Sequence, residues 1–266
     1  MHIERISAPL GAVVRDIDVR NIDQANGSEI NDLFLKHHML AFPGQSLTEG
    51  ELITFAALWG PLVRHPYAGM KTYPDIIELT NRGKKKDVNQ HWHSDMTYHH
   101  RPPKFTMLYA KQTPEIGGDT AFSNQVLAYQ NLTAGLKQVL LGLTAEHSAA
   151  GLAALNKSSE IEAPRATHPV VRLHDETGEL ALYVCRAFTE KFSNWSRHES
   201  KALLELLYEQ SVRPEYQARH HWRSGDLVMW DNRCLLHYAV HDHGDEQRVI
   251  QRVQVEGPVP VATNVD

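Results

Sequence analysis

Asn89-Gln90-His91-Trp92-His93-Ser94-Asp95-Met96-Thr97-Tyr98 is the stretch on which the reading of this chain turns. At its centre His93-Ser94-Asp95 forms an H-x-D triplet. On an extended strand, residues two apart share a face, so His93 and Asp95 would present an imidazole nitrogen and a carboxylate oxygen to one point. Two ligands make a poor metal site. A third is expected from far along the chain, and the candidate is His237, in Trp230-Asp231-Asn232-Arg233-Cys234-Leu235-Leu236-His237-Tyr238-Ala239. Two histidines and one carboxylate on one face, with three positions open, are the donor set of a non-haem Fe(II) oxygenase. A bare H-x-D says little in a chain with 17 histidines; the flanking sequence gives it weight.

Length and composition set the frame. A chain of 266 residues, 42% of them hydrophobic, suits one large domain or two small ones around a sizeable core. Lys and Arg number 27 against 32 Asp and Glu, a net charge of −5 with no basic stripe, which argues against nucleic acid as partner. Lys84-Lys85-Lys86 reads as a solvated loop. Cys185 and Cys234 make no disulfide framework and read as buried and inert, which fits a reducing compartment. No stretch approaches the ~20 apolar residues that span a membrane, and Met1-His2-Ile3-Glu4-Arg5 opens no signal peptide. The expectation is a soluble, cytoplasmic protein.

Working outward from the triplet, short strands dominate. Residues 2–20, 39–42, 76–79 and 104–111 read as strands, as do 169–173 and 180–184 around the turn Asp175-Glu176-Thr177-Gly178. Residues 216–222, 226–230 and 248–256 are also strand-like. A helix is expected from Ser28, with Ile30, Leu33 and Phe34 at helical spacing. Thr48-Glu49-Gly50-Glu51 and Ser196-Arg197-His198-Glu199 are capping boxes that open two more helices. Helical segments are expected at 124–131 and 133–141. The polar loop 81–90 leads into the triplet and reads as a lid, and 149–165 reads as a surface insert. The fold class expected is α+β and β-rich, with flanking helices on a double-stranded β-helix (jelly roll) core. Such a core closes two sheets over a pocket and lets residues 93–95 meet His237. Trp92 and Trp230 read as packing, His241-Asp242-His243 as a solvated turn, and Asp231 and Asn232 as residues that order the turn before His237.

The flanking motifs are specific. Trp92-His93-Ser94-Asp95-Met96-Thr97 resembles the W-H-S/T-D-x-S/T motif of the taurine dioxygenase family, Fe(II)- and 2-oxoglutarate-dependent oxygenases that also include 2,4-dichlorophenoxyacetate dioxygenase and alkylsulfatases. Gly117-Gly118-Asp119-Thr120 resembles the family's G-G-D-T, and Trp230-Asp231-Asn232-Arg233 followed by His237 resembles its W-D-N-R-x-x-x-H. Arg248 and Arg252 fall at the family's two arginine positions. Order and gaps agree over nearly the whole chain.

The resemblance implies a role for each residue. His93, Asp95 and His237 would hold Fe(II), with 2-oxoglutarate and O2 completing the coordination. Arg248 would take the far carboxylate of 2-oxoglutarate as a bidentate, charge-assisted pair, with the Thr120 hydroxyl beside it. Arg252, four residues on, would face the same side of the strand and bind the anionic group of the substrate. His65 would be a second anion contact, Asn89 a polar contact, and Met96, bulkier than the valine of the taurine-cleaving member, would line the pocket. The implied reaction is hydroxylation of a small organic anion, first a sulfonate such as taurine or a relative, next an alkyl sulfate ester or aryloxyalkanoate. 2-Oxoglutarate would go to succinate and CO2. A homo-oligomer is also implied. The rival readings of the triad are a zinc hydrolase and a non-catalytic jelly roll that binds an anion.

Overall fold

The computed structural model describes residues 1–65, 68–80, 90–155 and 162–263. The first half of the chain runs β1 (His2–Arg5), β2 (Ala12–Arg15), α1 (Gly27–His37), β3 (Met39–Phe42), α2 (Glu49–Ala56), β4 (Ile77–Thr80), β5 (Phe105–Gln112), β6 (Thr120–Asn124), α3 (Gln125–Gln130) and α4 (Ala134–Leu140). The second half runs β7 (Thr144–Ser148), α5 (Ala150–Leu155), β8 (Arg165–Pro169), β9 (Val171–Leu173), β10 (Leu180–Leu182), β11 (Thr189–Phe192), α6 (Arg197–Ser211), β12 (Gln217–His220), β13 (Leu227–Asp231), β14 (Leu235–Ala239) and β15 (Val249–Val255).

Seven strands form the main sheet, in the order β1-β2-β3-β13-β5-β15-β4. Its central strand β5 is buried on both faces, which is why Phe105-Thr106-Met107-Leu108-Tyr109-Ala110 reads as a continuous run instead of an alternating one. Phe105, Met107 and Tyr109 face α1 and α2, where Phe34, Leu52 and Phe55 cover them. Phe34 meets Phe105 edge-on at 4.6 Å between ring centroids. Leu108 and Ala110 point the other way, towards Phe122 and Leu235 of a three-stranded sheet ordered β12-β6-β14. The site lies between these two sheets. Helices α3, α4 and α6 pack over the outer strands through Leu140, Leu182, Phe192 and Leu207.

Both capping boxes form, with Thr48 Oγ1 accepting from the Glu51 amide and Ser196 Oγ from the Glu199 amide. The result is a mixed α+β, sheet-rich molecule with four sheets and no closed barrel among the described residues. No helix among them is long and apolar enough to cross a membrane.

Several strands depart from the sequence reading: β6, β7, β8, β11 and β14 were not among those expected, and β14 is the strand that carries His237. Described residues at both ends of the expected insert 149–165 pack against the fold. Ala149 and Ala163 are buried, and Leu152 of α5 packs with Tyr98 and Phe188. Asn81–Asn89, nearly all of the expected lid, lies outside the described residues.

Candidate active site

His93 and His237 are directly opposed. Each backbone N–H donates to the other's carbonyl, at 3.0 and 2.7 Å, in an isolated antiparallel bridge. This sets their rings 4.1 Å apart between centroids. The extended-strand expectation for the H-x-D triplet holds only at His93. Asp95 opens a turn in which Met96 takes φ +50° and the His99 amide closes back on the Met96 carbonyl at 2.9 Å. The turn swings the carboxylate under the two imidazoles. Asp95 Oδ1 lies 3.8 Å from His93 Nε2 and 3.7 Å from His237 Nε2.

Ligand atoms of all three residues fall within 4.8 Å of one another, and all three residues are buried. Bonds of about 2.1 Å at right angles set ligand atoms about 3 Å apart, so the trio needs only a small contraction to bind an ion. The protonation also suits a metal. The His91 carbonyl lies 2.7 Å from His93 Nδ1, which takes the proton there and puts the lone pair on Nε2, the ligating nitrogen. Burial, then the neighbouring His93, pushes His237 down to about 3, so its imidazole is neutral. Burial alone would raise the Asp95 carboxyl, but His237, Arg252, His93 and the Thr106 hydroxyl hold it at about 2, as a carboxylate.

Thr120 and Arg248 form the next corner. Asp95, Thr120, Trp230, His237, Arg248 and Arg252 line one cavity, so both arginines of the final strand region reach it, as their spacing predicts. Thr120 follows the Gly117-Gly118-Asp119 turn, where φ is +84° and +70° at the two glycines. A Cβ on Gly117 would sit 2.6 Å from Asp242 Oδ1, the same oxygen that accepts from the Gly118 amide at 2.8 Å. Asp242 is exposed on a loop, as its sequence reading expects, and from there also clamps this turn. Asp119 is held by Arg219 Nε and by His221 Nδ1, at 2.5 and 2.8 Å. Trp222 Nε1 donates to Thr120 Oγ1 at 2.9 Å, and Arg248 lies 5.9 Å over the Trp222 ring. Burial presses Arg248 down to about 10, against the pull of Asp119, so it stays a cation at neutral pH.

On the open side of the triad, Arg252 Nη1 lies 3.9 Å from Asp95 Oδ1. Arg252 Nε is buried without a hydrogen-bond partner among the described residues, and so is Nε2 of His65. Burial and the Arg252 charge push His65 down to about 4, so it faces the site as a neutral imidazole. Tyr98 and Phe188 make an aromatic wall here, 5.0 Å apart, with Phe188 edge-on to His93 at 6.0 Å. Met96 is half-buried beside Asp95 but is not among the residues lining the cavity. Asn89 lies outside the described residues.

A second cluster has metal-like spacing, His174, Asp231 and Cys234. The protein itself fills it. Arg233 donates to both Asp231 oxygens at 2.9 and 2.7 Å, and His174 Nδ1 accepts from two backbone amides. Trp222, Thr106 and Gln254 were not singled out in the sequence. For the last two a signal existed: a polar residue at an inward position of an apolar strand run.

The sequence model described as "Taurine catabolism dioxygenase TauD, TfdA family" matches residues 2–254. An alkylsulfatase from Acinetobacter baylyi is 33% identical over 97% of this chain and 86% of its own length. An α-ketoglutarate-dependent sulfate ester dioxygenase from Pseudomonas putida is 30% identical over 99% of this chain and 92% of its own. Among solved structures, a taurine dioxygenase from Burkholderia xenovorans superposes with a TM-score of 0.88 at 30% identity, covering 98% of this chain and 93% of that one. The chain belongs to the TauD, TfdA family of α-ketoglutarate-dependent dioxygenases.

Proposed function

We propose that the family's dioxygenase chemistry runs here at His93, Asp95 and His237, which would hold Fe(II). The observation that carries this is one free carboxylate oxygen, Asp95 Oδ1, within 3.7–3.8 Å of two imidazole Nε2 atoms. Bound iron supplies the oxidising chemistry, using O2 and 2-oxoglutarate and releasing succinate and CO2. The chain's own residues position the partners. Thr120 and Arg248 take the far carboxylate of 2-oxoglutarate, and Arg252 and neutral His65 take the anionic end of the substrate. The Tyr98–Phe188 wall flanks its organic part and keeps water from the metal. Membership in a dioxygenase family displaces the zinc hydrolase and the non-catalytic module.

The substrate class we propose is a small organic sulfonate or sulfate ester. Arg252 Nε and His65 Nε2, neither with a hydrogen-bond partner among the described residues, suit a tetrahedral oxyanion. Hydroxylation of a carbon bearing a sulfonate collapses to an aldehyde and sulfite; next to a sulfate-ester oxygen it gives an aldehyde and sulfate. The activities named for the alkylsulfatase and the sulfate ester dioxygenase favour the ester, and an aryloxyalkanoate is the remaining candidate. We read the two facing sheets as the halves of a double-stranded β-helix, supported by the His93–His237 bridge. We also infer a reducing, cytoplasmic setting, since both cysteines are free and buried.

The test is succinate formation with Fe(II), O2 and 2-oxoglutarate, offering taurine, a short alkyl sulfate and an aryloxyacetate in turn. One of these should accelerate turnover and release its leaving fragment, sulfite, sulfate or a phenol respectively, and Asp95→Ala should abolish both. Undiminished turnover by Asp95→Ala would exclude the site.

A further inference from the structure

The two oxygens of Asp95 are in different surroundings. Oδ2 accepts from Thr106 Oγ1 at 2.6 Å and from Gln254 Nε2 at 3.0 Å. Thr106 Oγ1 in turn accepts from Asn232 Nδ2 at 2.8 Å and Gln254 Nε2 at 3.2 Å. Two amide donors aimed at the hydroxyl oxygen leave its own hydrogen one destination, Asp95 Oδ2. The Asn232 amide cannot flip without loss, because Trp230 Nε1 donates to its Oδ1 at 3.0 Å. Trp230, Thr106 and Gln254 are direct cross-strand partners, a single rung across β13, β5 and β15. All are buried, with Thr106 and Gln254 at 0% exposure. Oδ1 is left to face His93, His237 and Arg252.

A carboxylate can ligate through one oxygen or both. Two-oxygen ligation would take one of the three positions that 2-oxoglutarate and O2 need. We propose that Thr106 and Gln254 are positioning residues that occupy Asp95 Oδ2 and so restrict Asp95 to one-oxygen ligation, keeping the coordination position for 2-oxoglutarate open. This rests on the Fe(II) and 2-oxoglutarate reading of the site. The rung is rigid because it belongs to the central sheet; it acts on the metal only through the carboxylate.

The experiment uses full-length protein with Fe(II) under anaerobic conditions. Metal affinity is measured first, and then 2-oxoglutarate is titrated against the visible charge-transfer band. Thr106→Val keeps the shape and removes the donor; Thr106→Ser keeps the donor. Thr106→Val should hold Fe(II) within about threefold of wild type and bind 2-oxoglutarate about tenfold or more weakly, the size of a lost charge-assisted hydrogen bond. Thr106→Ser should return 2-oxoglutarate affinity to within about twofold. Gln254→Met removes the second donor and should weaken 2-oxoglutarate in the same selective way, which keeps the test intact if Thr106→Val does not fold.

Unchanged 2-oxoglutarate affinity in the donor-less variants would overturn the clamp. So would parallel loss of metal and 2-oxoglutarate, the mark of a merely structural role. A wild-type protein that binds metal yet shows no band would instead overturn the underlying reading, and the clamp with it.

Discussion

At Thr120 a single indole decides where a hydrogen points. Trp222 Nε1 donates to Thr120 Oγ1, which occupies a lone pair of the hydroxyl and turns its own hydrogen towards the cavity shared with Arg248. The same ring lies beneath the Arg248 guanidinium, where stacking restrains the fork. Trp222→Phe keeps an aromatic platform and removes the donor. It should raise the KM for 2-oxoglutarate about two- to tenfold, the range of one neutral hydrogen bond, with kcat little changed. A steady-state titration against 2-oxoglutarate at saturating substrate checks this; a loss confined to kcat would refute it. Thr120 and Arg248 were legible in the sequence because motif and spacing mark them. Trp222 was not: it reaches Thr120 across 102 positions of chain, and nothing local to residue 222 records that contact.

The element that delivers His237 is β14, which the chain enters from β13 of the main sheet through a turn that crosses to the facing sheet. Its turn is held by ions in a dry place. Arg233 grips both oxygens of Asp231 and reaches Asp175 and Glu176 in the turn between β9 and β10, while His174 Nε2 donates to Asp231 at 3.0 Å. Burial alone would raise the Asp231 carboxyl; Arg233 and His174 hold it well below the usual carboxylate range. The sequence marks Asp231 and Asn232 as turn residues, and that reading survives. It could not give Arg233 its partners, which lie 57 and 58 residues away in the turn between β9 and β10. Arg233→Met removes the cation from a buried carboxylate and should cost about 3–5 kcal/mol; the double change Arg233→Met with Asp231→Leu should recover much of that loss. Urea unfolding of the three proteins measures it. A single variant as stable as wild type would show that the pair is dispensable.

Across the whole molecule, the pocket exists because two sheets face each other, and the sequence revealed only one of them well. The long strand β5 announces itself as an apolar run, whereas β7 (Thr144-Ala145-Glu146-His147-Ser148) and β11 (Thr189-Glu190-Lys191-Phe192) are short and mostly polar, so periodicity does not separate them from loops. The same packing buries histidines outside the His93, Asp95 and His237 trio. His147 is 1% exposed, with its Nδ1 3.0 Å from the Thr97 hydroxyl. It lies against His168 and Tyr183, at 5.3 and 6.0 Å between rings.

Burial, with a smaller push from His168, takes His147 down to about 3, and His168 is lowered as well. In the unfolded chain both titrate near 6.5. Below that pH the unfolded state therefore binds more protons than the folded one. The stability is fully present above about 6.5 and falls as the pH drops towards the folded value. Each such histidine removes up to about 1.4 kcal/mol per pH unit in that window. The metal-free protein should lose urea resistance steadily between pH 6.5 and 4. His147→Gln, which has no proton to gain on unfolding, should flatten that slope by about one proton's worth. If the two proteins lose stability in parallel, the protons taken up on acid unfolding go elsewhere, and His147 is not the group that couples this fold to pH.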